Sequence, residues 1–332
     1  MRRPNTTYEG QKGRVQRYTG RRLDHLSPQG KSVFLCLNVL TLQSIQTQSA
    51  IDPSVVEDVC VGNVLKPFGA YTARSAVLAA GFPVGTAGSL VNRFCSSGLL
   101  AIQNIAASIA IGAIDVGIAV GAESMSTNSD DGAPVMSDAI MQHPIAKDNV
   151  MSMGWTSENV AKDFSISRES QDKYAAMSHQ RAERAQKEGW SKDEIVPVTT
   201  RWVDPKTKET KTVTVEKDEG IRPGTTVEGL SKIRSAFPQW EPSTTTGGNA
   251  SQLTDGAAAV LLMKRSTAEK LGQKIIAKFV KSTTIGLEPR IMGIGPSFAI
   301  PKILEKTGLT KDDIDVFEIN EAFASMVSLT PL

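Results

Sequence analysis

Apolar and polar positions along the first 125 residues follow two different periods, and the pattern predicts strands and helices in turn. Short apolar runs with strand character occur near 59–64, 89–92 and 116–120. Helical periodicity occurs near 73–80 and again directly after Cys95. Strands that alternate with helices build a mostly parallel sheet with helices on its faces. The pattern therefore predicts an α/β protein.

The character of the chain changes after residue 125. Residues 126–242 are polar and charged, with helical signals at 157–163 and 168–188 and a strand pair within 196–215. Proline and polar residues at 205–208 predict the turn between these two strands. A charged stretch of this kind is typical of a solvated cap on a hydrophobic core.

A segment near the start of the chain is echoed near its end. Residues 51–63 are similar to residues 309–320. Internal similarity of this kind indicates a duplicated structural unit.

Composition narrows the class of protein. Lysine and arginine number 37 against 35 aspartates and glutamates, and the resulting charge of +2 gives no sign of a nucleic-acid partner. The three cysteines lack metal-ligand spacing, so we predict no metal site and no structural disulfide. The apolar stretch 105–114 is too short to span a membrane. Residues 1–31 are basic and poor in hydrophobic residues, which indicates a disordered or targeting segment.

Residues 92–98 carry the clearest chemical signal in the chain, because they place Cys95 in a tight turn between a predicted strand and a predicted helix. A thiol at a helix N-terminus lies against free backbone N–H groups, which favour the nucleophilic thiolate. We expect Ser96 and Ser97 to cap the helix and Gly98 to allow a close backbone approach. The alternative is that Cys95 is a small buried hydrophobic residue.

Seven segments occur in the order and with the residues that characterise one enzyme family. They are VNRFCSSGL at 91–99, GAESMS at 121–126, EGIRP at 219–223, GNAS at 248–251, DGAAA at 255–259, MGIGP at 292–296 and NEAFA at 320–324. On these segments the chain resembles the thiolases, and among them the peroxisomal 3-ketoacyl-CoA thiolases. The last two segments distinguish it from the related ketosynthases.

The resemblance implies the thiolase fold, in which two similar α/β halves pack in five layers and carry an inserted loop domain. The N-terminal half would comprise 32–125 and 246–272, the loop domain that covers CoA 126–245, and a partial, truncated C-terminal half 273–332. The family opens with a strand that this sequence does not clearly contain, and residues 33–40 are apolar enough to replace it.

The resemblance also implies site residues. Cys95 would be the nucleophile, and Asn320 would position a water in an oxyanion hole, although an asparagine of this kind also suits a turn or a cap. Arg222 and Ser251 match residues that contact CoA. Two methionines, which could equally be core filling, match residues of the acyl pocket: Met125 and Met292.

The implied function is transfer of an acyl group from a 3-ketoacyl-CoA to CoA in fatty-acid β-oxidation, with CoA as a substrate and no permanently bound cofactor. The family also uses a histidine in a Gly-His-Pro segment and a second cysteine in a Cys-x-Gly segment, and neither follows Asn320 here. We therefore expect these 332 residues alone to be a poor catalyst. The alternative function is a non-catalytic CoA-binding protein or dimer partner.

Partners and location also follow from the resemblance. It implies a homodimer and a peroxisomal location. The end of a peroxisomal targeting nonapeptide is matched at His25 and Leu26, but Tyr18 and Thr19 stand where its basic and aliphatic residues belong.

Overall fold

The computed structural model describes residues 16–20, 33–66, 69–125, 135–204 and 207–328. The strands of these residues are β1 (Gln16–Gly20), β2 (Asp58–Gly62), β3 (Ala87–Val91), β4 (Val116–Ser124), β5 (Val198–Val203), β6 (Thr210–Val215) and β7 (Asp255–Met263). The helices are α1 (Val33–Ser49), α2 (Gly69–Ala79), α3 (Ser97–Ala110), α4 (Asp138–Gln142), α5 (Met153–Asp163), α6 (Arg168–Lys187), α7 (Val227–Ser231), α8 (Arg265–Lys270), α9 (Gly295–Thr307) and α10 (Ala324–Val327).

The described residues form two compact units. The first takes its residues from 16–125, 189–219 and 254–279, and the second from 135–188, 220–253 and 280–328.

The first unit is built on a five-stranded sheet with the strand order β1-β7-β4-β2-β3. Strands β3, β2 and β4 are parallel, whereas β7 runs antiparallel to β4. The sheet is therefore mostly parallel over the segment for which the sequence predicted alternating strands and helices. A separate hairpin pairs β5 with β6, as the polar stretch predicted.

Alternate side chains of the strands serve two cores on opposite faces of this sheet. Val59 and Ile118 belong to the larger core, which includes side chains of α1 and α2. Cys60 and Ala119 belong to the smaller core, which is covered by α3 through residues such as Ile105. A strand points successive side chains to opposite faces, so one sheet sandwiched between helices is the expected result.

Two findings differ from the expectations for the start of the chain. Residues 33–40, proposed as a replacement strand, lie in helix α1. The sheet edge next to β7 is instead occupied by β1, which pairs antiparallel from Gln16 to Gly20 with Ala259 to Asp255. This strand lies within residues 1–31, for which the sequence predicted a disordered or targeting segment.

The second unit contains α4, α5, α6, α7, α9 and α10, and its centre is unusually polar. Helix α5 buries seven residues, and four of them are Thr156, Ser157, Glu158 and Asn159. Buried polar groups cost free energy unless they are hydrogen-bonded. The contacts of these side chains therefore decide how the segments around α5 are held.

The internal similarity of the sequence has a structural counterpart. A 3-10 helix at Pro53–Val55 precedes β2, and a second one at Lys311–Asp313 occupies the corresponding position of the second copy. Both are capped by the residue before them, Asp52 in the first and Thr310 in the second. The two copies thus begin with the same local structure.

Candidate active site

Cys95 lies in a tight turn between β3 and α3, as the sequence predicted. The backbone N–H of Ser96 donates to the Arg93 carbonyl at 3.1 Å, and that of Ser97 donates to the Phe94 carbonyl at 3.0 Å. Phe94 has a φ of 48°, in the left-handed region that a bulky residue adopts only under strain. The turn leaves Cys95 exposed, so the alternative of a buried hydrophobic residue is wrong.

The serines beside the nucleophile do not cap α3 as expected. Ser96 is the N-cap residue but makes no side-chain cap, and its hydroxyl donates to the Arg93 carbonyl at 2.9 Å. The Ser97 hydroxyl donates to the Phe94 carbonyl at 2.6 Å and accepts from the Arg93 N–H at 2.8 Å. Both hydroxyls therefore stabilise the strained turn instead of the first turn of α3.

The close backbone approach depends on Gly62 rather than on Gly98. A Cβ at Gly62, the last residue of β2, would overlap the carbonyl carbon of Ser97. A Cβ at Gly98 would lie 3.6 Å from Cα of Gly121, which is an ordinary contact. The backbone at the start of α3 therefore packs directly against the end of β2.

The thiol of Cys95 is harder to ionise than its position before a helix suggested. Loss of hydration raises the pKa of Cys95, a hydrogen bond with its own backbone lowers this pKa, and the negative charge of Glu123 raises it. The net direction is upward, so the loss of hydration outweighs the hydrogen bond. Attack by this thiol consequently requires a base that removes its proton.

Glu123 is a residue of this region whose role the sequence did not reveal. Its carboxylate accepts from Nδ2 of Asn63 at 2.9 Å, from the N–H of Val64 at 3.0 Å and from the N–H of Leu65 at 3.4 Å. Asn92, in the nucleophile turn, donates to the Val64 carbonyl at 3.1 Å. Glu123 thus holds the loop that follows β2, and this loop in turn contacts the turn of Cys95.

These groups lie together because the three parallel strands end at one edge of the sheet. Asn63 follows β2, Cys95 follows β3, and Glu123 lies near the end of β4. Ligands of open α/β sheets bind at this carboxyl edge. A glutamate close to the end of a predicted parallel strand is the signal that would have identified Glu123.

The other predicted site residue of the first unit is Met125, directly after β4. Its side chain is only partly buried. The same holds for Met292 in the second unit, so neither methionine is fully buried. Gly293, the neighbour of Met292, lies directly against the Met326 side chain, with which a Cβ at this position would overlap.

In the second unit, the predicted CoA contact Ser251 lies beside the segment of Asn320. The Ser251 N–H donates to the Ala322 carbonyl at 2.9 Å, and the Ala324 N–H donates to the Asn249 carbonyl at 3.0 Å. These bonds form an antiparallel bridge between Ala250 and Phe323. Ser251 and Asn320 are both exposed.

Arg222 is also exposed, as a residue that contacts a charged ligand should be. Gly220, two residues earlier, has a φ of 102° and lies against the side chain of Gln252. The structure thus brings the Arg222 segment close to Ser251. Cys95 and Met125 belong to the first unit, and the other four predicted site residues belong to the second.

Two further findings concern ligands and membranes. Among the described residues, no group of three or more histidine, cysteine, aspartate or glutamate side chains could hold a metal ion. No helix within the part of the chain that the structure describes is long and apolar enough to cross a membrane.

Comparison with known proteins defines the family. Residues 34–266 match the thiolase N-terminal domain, and residues 273–330 match the thiolase C-terminal domain. The chain therefore belongs to the thiolase family and has the thiolase fold.

Individual relatives agree with this assignment. The chain is 52% identical over 292 residues to peroxisomal 3-ketoacyl-CoA thiolase B of Candida tropicalis, and the match covers 86% of this chain and 69% of the relative. Among solved structures, it resembles the dimeric peroxisomal thiolase of Saccharomyces cerevisiae at 40% identity with a TM-score of 0.82, over 95% of this chain and 79% of that one. It also resembles the human mitochondrial 3-ketoacyl-CoA thiolase in complex with CoA, at 32% identity with a TM-score of 0.78 and the same two coverages.

Proposed function

We propose that the chain is a 3-ketoacyl-CoA thiolase, an acyltransferase of fatty-acid β-oxidation with Cys95 as its nucleophile. The observation that carries the proposal is the exposed thiol of Cys95 in a strained turn at the carboxyl edge of a parallel sheet. Relatives named 3-ketoacyl-CoA thiolase support the substrate class. The non-catalytic alternative is not favoured, because an inert cysteine would not need the strained turn at Phe94 that surrounds Cys95.

The chemistry proceeds in two half-reactions. The Cys95 sulfur, after loss of its proton to a base, adds to the keto carbon of the 3-ketoacyl-CoA. The bond between this carbon and the adjacent methylene carbon then breaks, and the methylene carbon takes the electron pair and a proton to leave as acetyl-CoA. The acyl group remains on Cys95 as a thioester until the thiol of a second CoA attacks it, which releases acyl-CoA and the Cys95 thiol.

Asn320 and Ser251 lie in two adjoining segments of the second unit, and the proposal gives each of them a role in the reaction. In the proposal Asn320 holds a water that stabilises the oxyanion of the thioester, and Ser251 contacts the pantetheine of CoA. Arg222 contacts the nucleotide end, where a guanidinium binds phosphate well. Met125 and Met292 line the acyl pocket, which suits their partial exposure and flexible side chains.

The experiment that tests the nucleophile is acylation of the chain by a medium-chain 3-ketoacyl-CoA, followed by mass spectrometry of its peptides. This single-turnover format measures the first half-reaction alone and does not depend on rapid turnover. We expect the acyl group on the Cys95 peptide, none in the Cys95→Ala variant, and unchanged acylation in Cys60→Ala, whose thiol is buried. Acylation that persists in Cys95→Ala, or that is absent from the wild-type chain, would contradict the proposal.

The CoA contact has its own test. Replacement Arg222→Gln should weaken CoA binding measured by calorimetry by at least about tenfold, since a charge-assisted hydrogen bond to phosphate contributes about 1.5–3 kcal/mol. Arg265→Gln, at an exposed position in the first unit, serves as the control. Equal affinities of the two variants would remove Arg222 from the site.

Location and assembly are proposed from the relatives. We infer a peroxisomal location from the names of similar proteins and a homodimer from the dimeric yeast structure. Light scattering of the purified chain tests the dimer.

A further inference from the structure

The hydroxyl of Ser157 links two segments that the proposed function uses. Its Oγ lies 2.9 Å from Oγ1 of Thr245 and 2.7 Å from Oγ of Ser325. All three residues are fully or almost fully buried. A serine hydroxyl can donate one hydrogen bond and accept two, so Ser157 can serve both neighbours at once.

Thr245 and Ser325 belong to the two segments joined by the bridge between Ala250 and Phe323. The bridge places Ser251 next to Ala322, which lies two residues after Asn320. The two segments are thus connected twice, once through backbone hydrogen bonds near the surface and once through the buried hydroxyls. A displacement of one segment at Ser251 would therefore act on the other segment through both connections.

Glu158, the residue after Ser157, fixes the segment of Thr245 to helix α5. The Glu158 carboxylate accepts from the N–H of Thr245 at 2.7 Å and from the N–H of Thr244 at 3.0 Å. It also accepts from the Thr244 hydroxyl at 2.8 Å. The segment that leads to Ser251 is consequently held against α5 by hydrogen bonds. The Ser157 hydroxyl links Ser325 to the same helix.

We propose that Ser157 is a positioning residue whose hydroxyl couples CoA contact at Ser251 to the position of Asn320. Bound CoA would restrain residues 249–251, and the buried hydroxyls together with the bridge would then restrain residues 320–325. This inference rests on the proposed function, because it uses the CoA contact at Ser251 and the oxyanion role of Asn320. Replacement of Ser157 by alanine leaves the Thr245 and Ser325 hydroxyls without their shared partner.

The test is amide hydrogen exchange of the full chain with and without CoA, read at the amides of Ser251 and Ala324. The variants are Ser157→Ala and a matched control on the same helix, Thr156→Val. The Thr156 hydroxyl is also buried, and within the described part of the chain it donates to the carbonyl of Met153 in its own helix, at 2.7 Å. A purely structural role of Ser157 would raise exchange with and without CoA alike and leave the ratio of the two rates unchanged.

We expect CoA to slow exchange at both amides in the wild type and in Thr156→Val, by at least about fivefold at Ala324. In Ser157→Ala, CoA should still slow exchange at Ser251, but the slowing at Ala324 should fall to less than about half of the wild-type value, because only the backbone bridge then joins the two segments. Slowing at Ala324 that is as large in Ser157→Ala as in the wild type, or slowing confined to Ser251 in the wild type, overturns the coupling while CoA binding stands. Absence of slowing at both amides in the wild type refutes the proposed CoA site and the coupling with it.

Discussion

Replacement of Glu158 by alanine should be among the most damaging single substitutions in the second unit. Glu158 is 1% exposed, and its carboxylate accepts from two backbone amides and two hydroxyls of residues 243–245. Alanine removes every one of these acceptors. The hydroxyls can rotate toward other partners, but the amides of Thr244 and Thr245 remain buried and without a partner.

The magnitude follows from these two amides. A buried donor that loses its partner costs about 1–3 kcal/mol, so the two together predict a loss of about 2–6 kcal/mol in the free energy of unfolding. Glu158→Gln should cost less, about 1–3 kcal/mol, because one oxygen remains while the charge is lost and an NH₂ group faces other donors. Alanine should therefore be worse than glutamine.

Urea unfolding followed by tryptophan fluorescence measures both variants, since Trp155 and Trp240 lie in the same unit as Glu158. The control is Glu228→Ala, which removes an exposed ion pair with Lys232. Such pairs contribute about 0.2–1 kcal/mol, so the control should remain close to the wild type. The reasoning fails if Glu158→Ala lies within about 1 kcal/mol of the wild type, or if glutamine is as damaging as alanine.

Three further predictions concern the nucleophile, a hydrogen bond of the second unit and the close approach at Gly62. Because the pKa of Cys95 is raised, the midpoint of its alkylation by iodoacetamide as a function of pH should lie above that of an ordinary cysteine thiol. A midpoint at or below that of an ordinary thiol, in a rate profile measured by mass spectrometry, would contradict the desolvation argument. Tyr174→Phe removes a hydroxyl that donates to the Glu321 carboxylate at 2.6 Å and should lower the free energy of unfolding by about 1 kcal/mol in urea; an unchanged midpoint would show that the bond contributes nothing. Gly62→Ala should lower the free energy of unfolding by about 1–3 kcal/mol and slow the acylation of Cys95, because the added Cβ overlaps the Ser97 backbone. Gly85→Ala, which has open space around it, should do neither. Equal behaviour of the two variants in thermal unfolding would contradict the close approach.

The nucleophile turn could be predicted because its signals are local. The apolar strand, the polar turn and the apolar helix follow one another within 24 residues, and the structure has them as β3, the turn of Cys95 and α3. The strand and helix periods that identify such elements depend only on near neighbours. The helix predicted at 168–188 is confirmed at Arg168–Lys187 for the same reason.

The features that sequence reasoning missed depend on distant partners. Strand β1 is recognisable only through its pairing with β7, more than 230 residues away along the chain. Helix α5 was predicted to begin at 157, but it begins at Met153. Its buried face carries threonine, serine, glutamate and asparagine, so it shows no apolar period. Ser96 resembles an N-cap in sequence, yet the strained turn competes for its hydroxyl.

In each unit one glutamate accepts hydrogen bonds from the backbone near the predicted site residues, Glu123 in the first unit and Glu158 in the second. This shared arrangement has a physical reason. Glu123 accepts from the amides of Val64 and Leu65, and Glu158 accepts from those of Thr244 and Thr245. A loop that leaves a strand or precedes a binding segment has successive N–H groups with no partner in a sheet or helix, and a carboxylate can accept from several of them at once. Hydrogen bonds to a charged acceptor are about twice as strong as neutral ones, which offsets the cost of burying the charge. The same negative charge raises the pKa of Cys95 when it lies near the thiol, as Glu123 does. Desolvation is the larger cause of the raised pKa of Cys95, and the charge of Glu123 adds to it. The carboxylate that holds the loop after β2 therefore makes the thiolate of Cys95 harder to form.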